Sequence, residues 1–109
     1  MSTRCEIAFK DTDRIIVIYQ HFDGYLEGVG KELITDWNSA TLAKDVINGK
    51  FNNEEEKYEY RSLDDWINHL NDSDREYAYL YDGEWKYNSC DENWKWKNEW
   101  KSVKEYFKQ

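Results

Sequence analysis

Cys5, Ile7 and Phe9 alternate with Glu6, Ala8 and Lys10, the period-two pattern of a strand with one polar face. Asp11-Thr12-Asp13 is turn chemistry. Arg14 to Phe22 then reads Arg-Ile-Ile-Val-Ile-Tyr-Gln-His-Phe, a β-branched run apolar on both sides. That pattern suits a central strand covered on both faces, at least at its start, and the two segments should pair as an antiparallel hairpin. Val29, Leu33, Ile34 and Trp37 have approximate helical spacing. Ser39 can cap a second short helix that buries Leu42, Ala43, Val46 and Ile47 and stops at Gly49. Residues 50–61 carry Glu54-Glu55-Glu56 and read as a solvated loop. Ser62 then caps the clearest helix, with Leu63, Trp66, Ile67 and Leu70 on one face and Asp64 and Asp65 in its first turn.

Tyr77, Tyr79 and Tyr81 alternate with Ala78 and Leu80, and Trp85 and Tyr87 follow across Asp82-Gly83, a strong hairpin signal. The tyrosine ladder reads better as core beneath helices than as a stacking platform. Trp96, Trp100, Val103 and Phe107 predict one face of a terminal amphipathic helix, with lysines on the other. The expected fold is a single α+β domain over residues 1–109. Its sheet would be antiparallel and four-stranded, made of two hairpins, with about four helices in the order β-β-α-α-α-β-β-α.

Composition supports a folded core: aromatics make up 17% of the 109 residues, against the aromatic-poor signature of disorder. The net charge of −8 is unevenly placed, with −2 over residues 1–50, −9 over 51–92 and +3 over 93–109. A field of this sign repels nucleic acid and anionic membranes and attracts basic surfaces. Cys5 and Cys90 form no CxxC spacing, and with only His21 and His69 beside them there is no zinc signature and no cofactor to expect. The start, Met-Ser-Thr-Arg-Cys-Glu, has no signal-peptide pattern and no window suits a membrane span. The expected compartment is a reducing cytoplasm, with both thiols free.

Candidate chemistry concentrates in Tyr19–Gly30, where Gly24, Gly28 and Gly30 stand among His21, Asp23, Tyr25 and Glu27. A phosphate cradle is excluded: Leu33 occupies the third glycine position of the dinucleotide fingerprint, and Glu32 follows Gly30-Lys31 where the phosphate loop needs Ser or Thr. His21, Asp23 and Tyr25 align only if the chain stays extended, whereas Asp23-Gly24 favours a turn, so they organise the turn more readily than they catalyse. The acids Glu54, Glu55, Glu56, Glu59, Asp64 and Asp65 could meet lysines and arginines of a partner, although Lys57 and Arg61 interrupt them. Trp94-Lys95-Trp96-Lys97 mixes aromatics with bases as single-strand binders do. A helix closing the core explains that segment more simply.

The pattern Arg4-Cys5-x-Ile7 with Tyr19-x-His21-x-Asp23-Gly24-Tyr25-x-x-Gly28-x-Gly30 resembles a family of small uncharacterised proteins of bacterial viruses and prophages. The resemblance covers the first third of the chain and implies a source rather than a chemistry. The leading expectation is a non-enzymatic acidic protein that binds and inhibits a host protein with a basic surface, such as a nucleic-acid-directed defence enzyme. Its contacts would be His21, Asp23, Tyr25, Glu27 and the six acids above, with no direct nucleic-acid or membrane binding and with homodimerisation open. The alternative is a small-ligand protein, for a nucleotide signal, using the 21–30 loop. A hydrolase built on His21 and Asp23 is the weakest reading.

Overall fold

The computed structural model describes residues 3–51 and 57–108. Strands β1 (Cys5–Lys10) and β2 (Ile15–Gln20) form the expected hairpin, with Cys5 opposite Gln20 and Lys10 opposite Ile15. A wide turn at Leu26–Gly30 leads into α1 (Lys31–Asp36), and α2 (Ala40–Asp45) continues into a second wide turn at Val46–Lys50. There follow β3 (Lys57–Tyr60), α3 (Leu63–Asn71), β4 (Tyr77–Tyr81), β5 (Trp85–Ser89), β6 (Lys101–Ser102) and α4 (Val103–Phe107). Two helix starts are capped as expected: Ser39 Oγ accepts from the Leu42 amide at 3.1 Å, and Ser62 Oγ from the Asp65 amide at 3.2 Å.

The sheet corrects the four-stranded antiparallel expectation. It is six-stranded and mixed, in the order β3-β2-β1-β4-β5-β6, with β1 and β4 parallel and the other pairs antiparallel. The missed strands are short and polar. On β3, Tyr58 and Tyr60 alternate with Lys57 and Glu59, enough for an edge strand that pairs on one side. β6 has two residues, too few to show a period. Because β3 and β4 run the same way, the link between them must cross a sheet face, and α3 is that crossover.

Both faces are therefore covered. Ile7, Phe9, Ile16, Ile18 and Tyr79 pack beneath the Leu26–Gly30 turn, α2, the Val46–Lys50 turn and α4, through Val29, Ala43, Val46, Ile47 and Val103. On the other face Ala8, Ile15, Val17, Ala78 and Leu80 pack against Trp66, Ile67 and Leu70 of α3 and against Trp96. Tyr79 is fully buried, so the centre of the tyrosine ladder is core. Leu42 is exposed rather than buried. The terminal helix is also shorter than expected. Trp96 and Trp100 lie ahead of α4 and pack with the α3 face, while Val103 and Phe107 pack on the opposite face. The four residues share no helical stripe.

Candidate functional site

Strand directions place the 21–30 segment at the sheet end formed by Cys5, Gln20, Tyr77 and Ser89. There the chain is pinned by close packing rather than opened for a ligand. The Gly24 amide donates to Thr3 O at 3.0 Å, and the Tyr79 hydroxyl donates to Gly24 O at 2.7 Å. A Cβ on Gly24 would stand 2.7 Å from Thr3 O and 2.9 Å from Cys5 Cβ, and one on Gly28 would overlap Asp23 O. These glycines are explained by backbone approach. Burial pushes the Tyr79 hydroxyl pKa far up, which keeps it a neutral donor.

The side chains of this turn do not converge. His21 Nδ1 is 2.8 Å from the Tyr19 hydroxyl, and its ring meets Phe22 edge-on at 4.5 Å. The Tyr25 hydroxyl donates to Asp23 Oδ1 at 3.4 Å, and Asp23 takes the left-handed conformation at φ 57°. Glu27 accepts from the Tyr106 hydroxyl at 2.8 Å, a bond that raises the Tyr106 pKa. Two large apolar rings remain in solvent: Phe22 at 60% exposure and Tyr25 at 40%.

The acids expected to act with this turn are elsewhere. Tyr60 pairs with Ile15, at the far end of β2 from Gln20, so Glu59, Asp64 and Asp65 belong to the opposite end of the sheet. A six-residue strand separates the two groups by roughly 20 Å. Glu59 meets Arg14 at 3.3 Å, and Asp64 accepts from the Asn98 amide at 3.3 Å. Glu54, Glu55 and Glu56 lie outside the described residues.

The main polar centre is one that the alternation pattern misassigns. Glu6, expected on a polar strand face, is fully buried beneath α3. Its carboxylate accepts from Trp66 Nε1 at 2.7 Å and from Arg75 Nε at 2.9 Å, and lies 3.2 Å from His69 Nε2. Arg75 also donates to Asp74 at 2.8 Å, holding that carboxyl below its usual range, and its guanidinium sits 4.1 Å above the Tyr19 ring. Burial, with the Glu6 charge behind it, pushes Tyr60 up to about 12. A chain of contacts thus runs from Glu6 through Arg75 and Tyr19 to His21. His69 is one-third exposed while Glu6 is sealed, so the centre meets solvent only at its rim. Its geometry satisfies a buried charge and ties α3 to β1.

A cleft of about 270 Å³ lies between the end of β5 and the chain returning to β6, at the same sheet end as the 21–30 turn, and another of about 290 Å³ takes in Arg14 and Asp64 at the opposite end. Among the described residues no three His, Cys, Asp or Glu side chains gather for a metal ion. Cys5 and Cys90 are free, and burial raises the pKa of both thiols. Among the same residues no helix is long and apolar enough to cross a membrane. No family model, curated protein or solved structure matches the chain.

Proposed function

We propose that this chain is a non-enzymatic binding protein that docks a partner of basic surface through the turn at His21–Tyr25. The observation that carries the reading is the pair of exposed rings, Phe22 and Tyr25, on a turn fixed by Tyr79, Thr3 and the Tyr19–His21 contact. Rigid aromatic anchors lose little entropy on binding and commonly dominate interface energies. Asp23 between them supplies an acid at the contact, and the net charge of −8 favours approach of a cationic partner. Glu59, Asp64 and Asp65, at the opposite end, steer rather than touch.

The resemblance of the first third to proteins of bacterial viruses and prophages supports a host protein as the target and inhibition as the outcome of docking. The test is capture of partners from host lysate by tagged protein, at low and high salt, with wild type beside a Phe22→Ala/Tyr25→Ala variant of unchanged melting temperature. A stoichiometric partner lost both in the variant and at high salt supports the reading. Equal capture by wild type and variant overturns it.

A further inference from the structure

The cleft of about 270 Å³ gathers three of the five lysines of residues 93–109, the stretch whose net charge is +3. β6 pairs with β5 only at Lys86–Ser102 and Tyr87–Lys101. Beyond that pair the two chains part, and residues 90–100 loop out and return, leaving a hollow beside Ser89. Lys95, Lys97 and Lys101 all line it. Among the described residues none of the three forms an ion pair, whereas Lys10, Lys50 and Lys108 each hold an acid. The three ammonium groups outnumber the carboxylates of the same hollow, and an anion between them completes the balance.

Two acids also line the hollow, Asp91 and Glu99. Asp91 is engaged by its own loop: its Oδ1 accepts from the Asn93 amide at 2.8 Å and the Lys95 amide at 3.0 Å. Those two backbone bonds, and behind them Lys97 and Lys95, hold the Asp91 carboxyl below its usual range, so Asp91 offsets the lysines in part. Acids farther off are weaker opposition, because charges beyond about 10 Å are screened at 0.1 M salt. All three cations are lysines rather than arginines. Point charges of that kind suit phosphate, whereas planar carboxylates favour the arginine fork.

An adjoining groove shares Ser89, Cys90 and Asp91 with the hollow and is lined also by Tyr77 and Trp94 and by two further acids, Glu76 and Glu92, which leaves the lysine hollow as the side for phosphate. Trp94 is 53% exposed and held in the left-handed conformation at φ 61°, a costly posture for a bulky residue. We propose that this double hollow binds a nucleoside phosphate, with the phosphates among Lys95, Lys97 and Lys101 and the base stacked on Trp94. At about 270 Å³ the phosphate side takes a mono- or diphosphate and leaves the base to the neighbouring groove. The site is distinct from the docking turn, and it stands or falls independently of it.

The test is calorimetric titration of the whole protein with ADP, inorganic pyrophosphate and adenosine, alongside a single-stranded oligonucleotide. ADP should bind more tightly than pyrophosphate, and adenosine more weakly than either. Lys97→Met/Lys101→Met should weaken ADP and pyrophosphate at least tenfold. Trp94→Ala should weaken ADP about tenfold and leave pyrophosphate unchanged, and Glu99→Gln should tighten both. All these side chains are exposed, so melting temperatures should be unaltered. Absence of ADP binding at millimolar concentration, binding of the oligonucleotide alone, or ADP affinity untouched by the lysine substitutions would overturn the proposal.

Discussion

Replacing Arg75 with Met tests whether the buried Glu6 centre is organised as described. Glu6 is fully buried, and Arg75, 15% exposed, supplies its one permanent positive charge at 2.9 Å. Arg75→Met keeps most of the aliphatic bulk but leaves the carboxylate with the Trp66 N–H and the rim histidine. Stranding a buried charge in this way costs about 3–5 kcal/mol. Set against a total stability of about 5–15 kcal/mol, that loss should lower the melting temperature by roughly 12–20 °C.

Glu6→Gln removes the charge while its side-chain oxygen can still accept from Trp66 Nε1, so it should cost only about 1–3 kcal/mol. The double variant should be little worse than Glu6→Gln alone, because no charge is left to strand. The coupling energy is then about 3 kcal/mol in favour of the pair. Urea unfolding followed by tryptophan fluorescence measures all four corners of the cycle. If Arg75→Met costs less than 1 kcal/mol, or if the two losses simply add, the carboxylate is not sealed under α3 and the description of this face fails.

Two further outcomes follow from the same packing. Gly24→Ala places a Cβ against Thr3 O and Cys5 Cβ, so the backbone must shift, at about 1–3 kcal/mol; an unchanged urea midpoint would show that the turn is not seated on β1. Tyr60, held at about 12 against about 10 in an unfolded chain, keeps its proton in the fold after the unfolded chain has lost it. Its stabilising contribution is therefore complete below pH 10 and disappears between pH 10 and 12. Absorbance titration at 295 nm of the wild type beside Tyr60→Phe isolates this residue from the other late tyrosines, such as Tyr79 and Tyr106. Its midpoint should move down, though not fully, in Glu6→Gln, since burial remains when the charge is gone. A midpoint indifferent to Glu6 would remove the carboxylate as a cause.

Much of the architecture is written in the pattern of residues. The two hairpins, the Ser39 and Ser62 caps and the apolar face of α3 all follow from local spacing, because each depends on neighbours a few residues away. The parallel pairing of β1 with β4 depends on where the α3 crossover lands, and no window of sequence holds that information. Glu6 was misplaced for a related reason: alternation in β1 marks one face as polar, but not whether another layer covers it. A signal for that cover was present. Ile15 and Val17 face one way and Ile16 and Ile18 the other, so β2 needs apolar cover on both sides, and its neighbour β1 shares those layers. Read together, the strands imply that Glu6 is covered and needs donors from the layer above it, though not which residues supply them. The separation of Glu59, Asp64 and Asp65 from the 21–30 turn was not legible for the same reason, since it depends on which end of β2 pairs with β3.

Covering both sheet faces restricts where this protein can act. The faces are filled by side chains, so binding is left to the sheet ends and to the long return between β5 and β6. Charge divides those places in turn. The His21–Tyr25 turn offers aromatic rings beside an acid, whereas the 95–101 return gathers unpaired lysines within a chain of net charge −8. Opposite signs at separate positions argue for two kinds of ligand rather than one extended surface. The contacts from Glu6 reach His21 by way of the Arg75 side chain and Tyr19, whereas the lysine hollow is reached through the Arg75 backbone, whose carbonyl lies 3.9 Å from the Cys90 thiol. Substitution of the Arg75 side chain should therefore loosen the docking turn first, and leave ADP binding intact for as long as the fold survives.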